Sequence, residues 1–100
     1  MADRVVWRPD AAADLAEIVE YIALEHGLPD TALAYAERIK SRCDGLAHAP
    51  NSGRPRAELG EGIRSIAFES VVILYRSAPG LVTIVNIIHA ARDYPALFKD

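Results

Sequence analysis

Hydrophobic and polar positions change period along the chain, and the changes mark a helical half and a strand half. Arg4-Val5-Val6-Trp7-Arg8 is a short apolar run stopped by Pro9 and reads as a strand. After it, Leu15, Ile18, Val19 and Ile22 recur at helical spacing, with Glu17, Glu20 and Glu25 mostly off that face. Pro9 at the first helical position, with Asp10 and Asp14 in the first turns, suits the positive end of a helix. Gly27 is the expected stop, since glycine tolerates the left-handed cap conformation. Pro29 opens a second helix, whose seam Ala32, Ala36, Ile39, Cys43 and Leu46 is narrow and begins with small residues. Pro50-Asn51-Ser52-Gly53 ends that stretch, and the short connection between the helices predicts a helical hairpin.

The second half carries strand patterns. Ile66 and Phe68 alternate on one face with Arg64 in the same phase. Val71 to Tyr75 is apolar throughout, as a central strand covered on both faces would be. Glu69-Ser70 must form a tight hairpin, Ala78-Pro79-Gly80 a turn, and Leu81 to Ile88 a third strand interrupted by Asn86. The pattern predicts an α+β fold over residues 1–100 as one domain. Its order is β-α-α-β-β-β, an N-terminal strand and a helical hairpin packed on one face of an antiparallel sheet. A short C-terminal tail or helix follows.

The 51 % hydrophobic content supplies one two-layer core, with enough left over to predict an apolar partner-binding surface. No run approaches the roughly 20 apolar residues of a membrane span. Met-Ala-Asp-Arg leads straight into the first strand pattern, so a cytoplasmic location is expected. A net charge of −3 argues against a protein whose main task is gripping nucleic acid. The charge is uneven. Residues 1–50 hold nine acidic and five basic groups (net −4), and residues 51–100 hold five and six (net +1). Cys43 is the sole cysteine and sits on the helical seam, where a buried small hydrophobe belongs.

His89, Arg92 and Asp93 form the one cluster with chemical character. His89 could act as a base oriented by Asp93, with Arg92 stabilising an anion. In the plainer reading His89 ends a strand and bonds nearby backbone, while Arg92 and Asp93 fix the tail. His26 and His48 end the two helices without metal-ligand spacing, so no metal site is expected. Arg54, Arg56, Arg64 and Arg76 offer a phosphate-facing patch; the plainer reading leaves Arg54 and Arg56 solvated beside Pro55 in a loop and gives Arg64 and Arg76, on neighbouring strands, ion-pair partners among Glu58, Glu61 and Glu69. Asp10 and Asp14 read as helix-start residues. No phosphate loop, nucleophile elbow or zinc pattern appears, and no cofactor is expected.

Several short motifs in fixed order carry a family resemblance. They are Ala11-x-x-Asp14-Leu15-x-x-Ile18-x-x-Tyr21, Leu46-x-x-x-Pro50-x-x-Gly53-Arg-Pro and Gly62-Ile-Arg64-Ser. Val72-Ile-Leu-Tyr75-Arg and Ile87-Ile-His89-Ala-Ala-Arg92-Asp follow. Together they span nearly the whole chain and resemble the ParE branch of the ParE/RelE superfamily, the toxins of bacterial type II toxin–antitoxin pairs. The resemblance implies a toxin neutralised by a cognate antitoxin, of ribbon-helix-helix type with a disordered segment that folds on binding. DNA would be bound only through that complex. RelE-like members cut mRNA on the ribosome with arginine, lysine and tyrosine side chains. Ser65, Ala67, Val72, Ala91 and Leu97 fall at or near those positions here, so no catalytic set is expected and the protein is more readily a binder than an enzyme.

ParE-like members are associated with inhibition of DNA gyrase, and that target is favoured. The alternative is a ribosome-dependent mRNA endoribonuclease of RelE type with a displaced site at His89 and Arg92. Candidate target contacts are Arg64, Arg76, His89, Arg92, Tyr94 and Phe98; candidate antitoxin contacts are Trp7, Leu15, Tyr21, Tyr35, Ile39 and Phe68.

Overall fold

In a computed structural model, residues 4–89 are described. The strand β1 (Arg4–Trp7) leads into the helix α1 (Pro9–Glu20), a π-type turn (Tyr21–Glu25) and the helix α2 (Pro29–Gly45). The short strand β2 (Arg54–Pro55) is followed by a 3₁₀ turn (Ala57–Leu59) and three long strands. These are β3 (Ile63–Phe68), β4 (Val71–Ala78) and β5 (Leu81–His89). The α+β class and the expected element order hold.

The sheet departs from a purely antiparallel one at its β1 edge. Its strand order is β1-β5-β4-β3-β2, and β1 runs parallel to β5, with Arg4 opposite Leu81 and Trp7 opposite Ile84. The intervening chain lets β1 return to the sheet beside β5 in the parallel sense. At the other edge Arg54 and Pro55, expected in a loop, pair antiparallel with Ser65 and Arg64. Proline fits there because an edge strand can spare one N–H. The expected C-terminal tail or helix lies outside the described residues.

The helices follow the sequence pattern with one change. α1 ends at Glu20, and the π-type turn carries the chain to Gly27, whose φ of 64° breaks the hairpin. The α2 seam Ala32, Ala36, Ile39, Cys43 and Leu46 is buried in full. Its Ala36, Ile39, Cys43 and Leu46 pack with Ala11, Leu15 and Ile18 of α1 against Val71, Ile73 and Tyr75 of β4 and Val82, Ile84 and Ile87 of β5. Burial pushes the Cys43 thiol up to about 12, as an apolar enclosure disfavours the thiolate. Ile63, Leu74 and Ile88 form a smaller cluster on the opposite face of the sheet, flanked by Leu59, Val72 and Val85. Strand β4 therefore contributes apolar side chains to both faces. The Glu69-Ser70 hairpin is two residues long and puts Glu69 at φ 52°.

Candidate functional site

The first resemblance motif is the face that α1 turns toward β5. Ala11, Leu15 and Ile18 are buried there, and Asp14 lies on the same stripe. Its Oδ2 accepts hydrogen bonds from the Asn86 side-chain amide and from the Ile87 backbone N–H, both at 3.0 Å. The local geometry explains why β5 needs this acceptor. Pairing with β1 stops at Ile84, where the Arg8 N–H reaches the Ile84 carbonyl. The β4–β5 register then slips, Leu74 facing Asn86 and Tyr75 facing Ile84, so Val85 is an extra residue. Beyond the end of β1, Asp14 receives the Ile87 amide that no neighbouring strand takes on that side. The sequence signal was available: Asp14 occupies the buried i, i+3, i+4, i+7 stripe, which a simple helix-start residue has no need to do.

One turn further, Tyr21 meets the second end of the same pairing. Its ring stands edge-on to His89 at 5.7 Å and to His26 at 5.2 Å. His89 Nε2 lies 3.4 Å from the Ser70 hydroxyl, and Ser70 Oγ lies 2.6 Å from the Tyr35 hydroxyl. The Ser70 N–H also donates to Tyr35 at 3.2 Å. Beside them Arg38 holds Glu69 through two N–H donors at 2.9 and 3.1 Å, and its guanidinium lies 5.2 Å from the Tyr35 ring centre. This hydrogen-bonded pair holds the Glu69 carboxyl below, and the Arg38 guanidinium above, its ordinary range. A histidine, two tyrosines and a serine thus converge where the β3–β4 hairpin meets the helices. Arg92 and Asp93, the proposed companions of His89, lie outside the described residues.

The sheet arginines are tied to the local fold. Arg64 donates to the backbone carbonyls of Gly53 (2.8 Å) and Asn51 (3.2 Å), rather than to Glu58, Glu61 or Glu69. Arg76 donates to the Glu61 backbone carbonyl at 3.1 Å. Arg56 pairs with Glu58 at 2.6 Å, which draws the Glu58 carboxyl down, and reaches Ser65 Oγ at 3.3 Å. Gly53 is clamped from both sides, because its N–H donates to the buried Tyr75 hydroxyl at 2.8 Å. A β-carbon on Gly53 would stand 2.5 Å from that hydroxyl oxygen and 2.7 Å from the ring. Four of the resemblance motifs, those carrying Asp14, Gly53, Arg64 and Tyr75, therefore hold identifiable joints of the fold.

Between the helices runs an apolar groove of about 620 Å³. Ala12, Ala16 and Val19 of α1 form one wall and Leu33 and Ala36 of α2 the other. Trp7 closes one end, and Glu37, Lys40 and Asp44 rim the α2 side. Leu33 is 60 % exposed at the other end, and Tyr21, Leu24 and Leu28 extend the exposed apolar surface round the hairpin tip.

Residues 5–94 match the family model for the ParE toxin of the type II toxin–antitoxin system, parDE. A toxin named RelE2 from Caulobacter vibrioides is 42 % identical over 90 residues, covering 89 % of this chain and 97 % of the relative. The chain belongs to the ParE toxin family of type II toxin–antitoxin systems. The fold of the chromosomal ParDE system of P. aeruginosa agrees, with a TM-score of 0.70 at 26 % identity, over 89 % of this chain and 95 % of that one. Membership of this family implies a cognate antitoxin as partner.

On this ParE-family fold the candidate antitoxin contacts divide by depth. Leu15, Tyr35 and Ile39 are buried and shape the helical layer from beneath. Trp7 is half-buried at the groove end, and Tyr21 is 39 % exposed. Phe68 lines a shallow hollow with Arg38 and Arg42. Among the target candidates, Arg64 and Arg76 are held by loop carbonyls and His89 sits in the tyrosine cluster. Arg92, Tyr94 and Phe98 lie outside the described residues. The structure brings His89 together with Tyr21 and Tyr35 but leaves Arg64 apart from them, on the Gly53 side of the sheet.

Proposed function

We propose that this toxin acts by binding and inhibiting DNA gyrase in the cytoplasm, without a catalytic step of its own. Its antitoxin is of ribbon-helix-helix type, with a disordered segment that folds over the toxin's apolar helical surface. The observation that carries this reading is the chemistry of the sheet face turned away from the helices. Ala67 and Val72 are direct cross-strand partners there, and Ser65 lies two pairs along the ladder, opposite Leu74. A methyl, an isopropyl and a hydroxyl that already bonds Arg56 stand at or near the positions where the family resemblance puts the base and cations of mRNA-cleaving members. The acidic helical half, net −4 over residues 1–50, also favours a protein partner over RNA.

A second reading keeps His89 as the base of a ribosome-dependent mRNA endoribonuclease of RelE type. Its support is the contact of His89 with Ser70 and Tyr21, together with the RelE2 name of the Caulobacter relative. Pulse-labelling of DNA and protein synthesis after induction without antitoxin separates the two. Early arrest of DNA synthesis, followed by loss of supercoiling activity with purified gyrase, is the expected result. Early arrest of translation with transcript cleavage that His89→Ala abolishes would replace it with the ribonuclease.

A further inference from the structure

Exposed apolar side chains gather at one place on this molecule. Among the described residues, the large hydrophobic side chains that stay exposed are Tyr21, Leu24, Leu28 and Leu33. All four belong to the tip of the helical hairpin, between the π-type turn and the second turn of α2. Leu24 is 73 % and Leu28 49 % exposed. The backbone puts them there. The buried stripe of α1 runs on to Ile22, which packs on the core, and the wider π-type turn then carries Leu24 off that stripe. Gly27 reverses the chain at φ 64°, and Leu28 opens α2 by accepting the Ala32 N–H at 2.9 Å. Single exposed leucines are ordinary, but four large apolar groups on one hairpin tip mark an interaction surface.

The charge around this tip has one sign. From Pro9 to Glu37 the chain carries seven acidic residues and no lysine or arginine. Asp14 is engaged with β5 and Glu37 with Lys40, while Glu20, Glu25 and Asp30 are exposed at the tip itself. His26, edge-on to Tyr21, is the one group in that stretch able to become a cation. Such a surface repels nucleic acid and repels a second copy of itself. It complements a protein surface that sets lysine or arginine beside apolar residues. An enzyme that grips duplex DNA presents cationic surface of this kind. The sheet arginines are weaker candidates for the same contact, since Arg64 and Arg76 are tied down by the loop carbonyls of Asn51, Gly53 and Glu61.

We propose that the hairpin tip is the surface by which the toxin docks on gyrase, with Leu24, Leu28 and Leu33 as apolar anchors and Glu20, Glu25 and Asp30 facing lysines or arginines of the enzyme. The inference rests on the gyrase reading and gives that reading its contact surface. Leu33 belongs both to this tip and to the groove between the helices. A segment seated in the groove therefore covers one of the anchors, and the toxin is neutralised without any change in its fold.

The test measures binding of the full chain to immobilised, purified gyrase over a range of salt, together with inhibition of supercoiling. Wild type is compared with the pair Leu24→Ser, Leu28→Ser and with the pair Glu20→Lys, Glu25→Lys, each read against its own thermal melt. The serine pair should dissociate at least ~tenfold faster, because buried anchors govern the off-rate. The lysine pair should associate at least ~tenfold more slowly, and wild-type association should itself slow as salt rises. The concentration for half-inhibition shifts in step, while capture by the antitoxin is retained. Variants as potent as wild type overturn this docking surface and leave the gyrase reading standing. Loss of antitoxin capture with inhibition intact assigns the tip to the antitoxin and overturns the proposal as well. Association indifferent to salt overturns the cationic partner surface. A wild-type toxin that neither binds gyrase nor slows supercoiling overturns the gyrase reading and this contact with it.

Discussion

Asp14 on the first helix accepts the backbone N–H of Ile87 on the last described strand, 73 residues away, at 3.0 Å. The same carboxylate oxygen takes the Asn86 amide. One side chain thereby fixes the helical layer to the part of β5 that has outrun β1. Asp14→Ala should lower stability by ~1–3 kcal/mol, since it removes a charged acceptor and leaves a partly buried N–H unpaired. Asp14→Asn keeps an oxygen that can still accept, so its loss should be smaller. Urea unfolding of the two variants checks the order.

Gly53 provides a second joint whose failure is steric as well as polar. Gly53→Ala drives a methyl into the Tyr75 ring at under 3 Å, and a cost of ~1–3 kcal/mol follows from overpacking a site with no room to yield. Tyr75→Phe removes the acceptor of a buried N–H and should cost ~1–2 kcal/mol. Thermal melts of both variants test this, with Arg64→Ala as a third. Arg64→Ala should also lower the melting temperature, because it releases the carbonyls of Asn51 and Gly53. A toxicity assay on Arg64→Ala is therefore interpretable only beside its melt.

Cys43 makes stability fall on the alkaline side. Its thiol titrates near 9.0 in an open chain and at about 12 in the fold. The unfolded state gains the thiolate first, so the contribution is whole below 9.0 and declines as pH rises toward 12. Wild type and Cys43→Ala should show a constant stability difference near neutrality and a shrinking one above that threshold. Denaturant melts at a series of alkaline pH values give the curve. Thiol reagents should label native Cys43 only as fast as the core opens, because the side chain is fully buried.

The Arg38–Glu69 pair acts at the acid end. Its folded carboxyl is depressed by the Arg38 hydrogen bonds, so its contribution is present above the ordinary glutamate range and lost as pH falls through the lower folded value. Both side chains are well exposed, and added salt should weaken the effect. The melting-temperature gap between wild type and Glu69→Gln should therefore close on acidification and narrow in high salt.

Periodicity made the two layers legible. The α2 seam from Ala32 to Leu46 and the apolar run of β4 are local patterns, and each fell where its spacing put it. Three features escaped for the same reason, that they depend on where distant segments meet. The parallel return of β1 beside β5 is a matter of how the chain crosses over, which neither strand's own residues encode. Arg54-Pro55 becomes a strand only because Ser65 and Arg64 lie beside it. Tyr35 and Ser70, 35 residues apart, carry no mutual spacing signal, yet their hydroxyls lie 2.6 Å apart.

By itself the sequence determined the order of elements, the buried stripes and, through motifs in fixed order, the toxin family. Those depend on side-chain period and local backbone preference, which act over a few residues. Only the tertiary structure decided the roles of the motif residues. Asp14 holds a strand edge, Arg64 and Tyr75 clamp a glycine, and His89 faces Tyr21 rather than solvent alone. A polar side chain's role is set by whichever group packing brings within about 3 Å, and packing is a property of the whole chain.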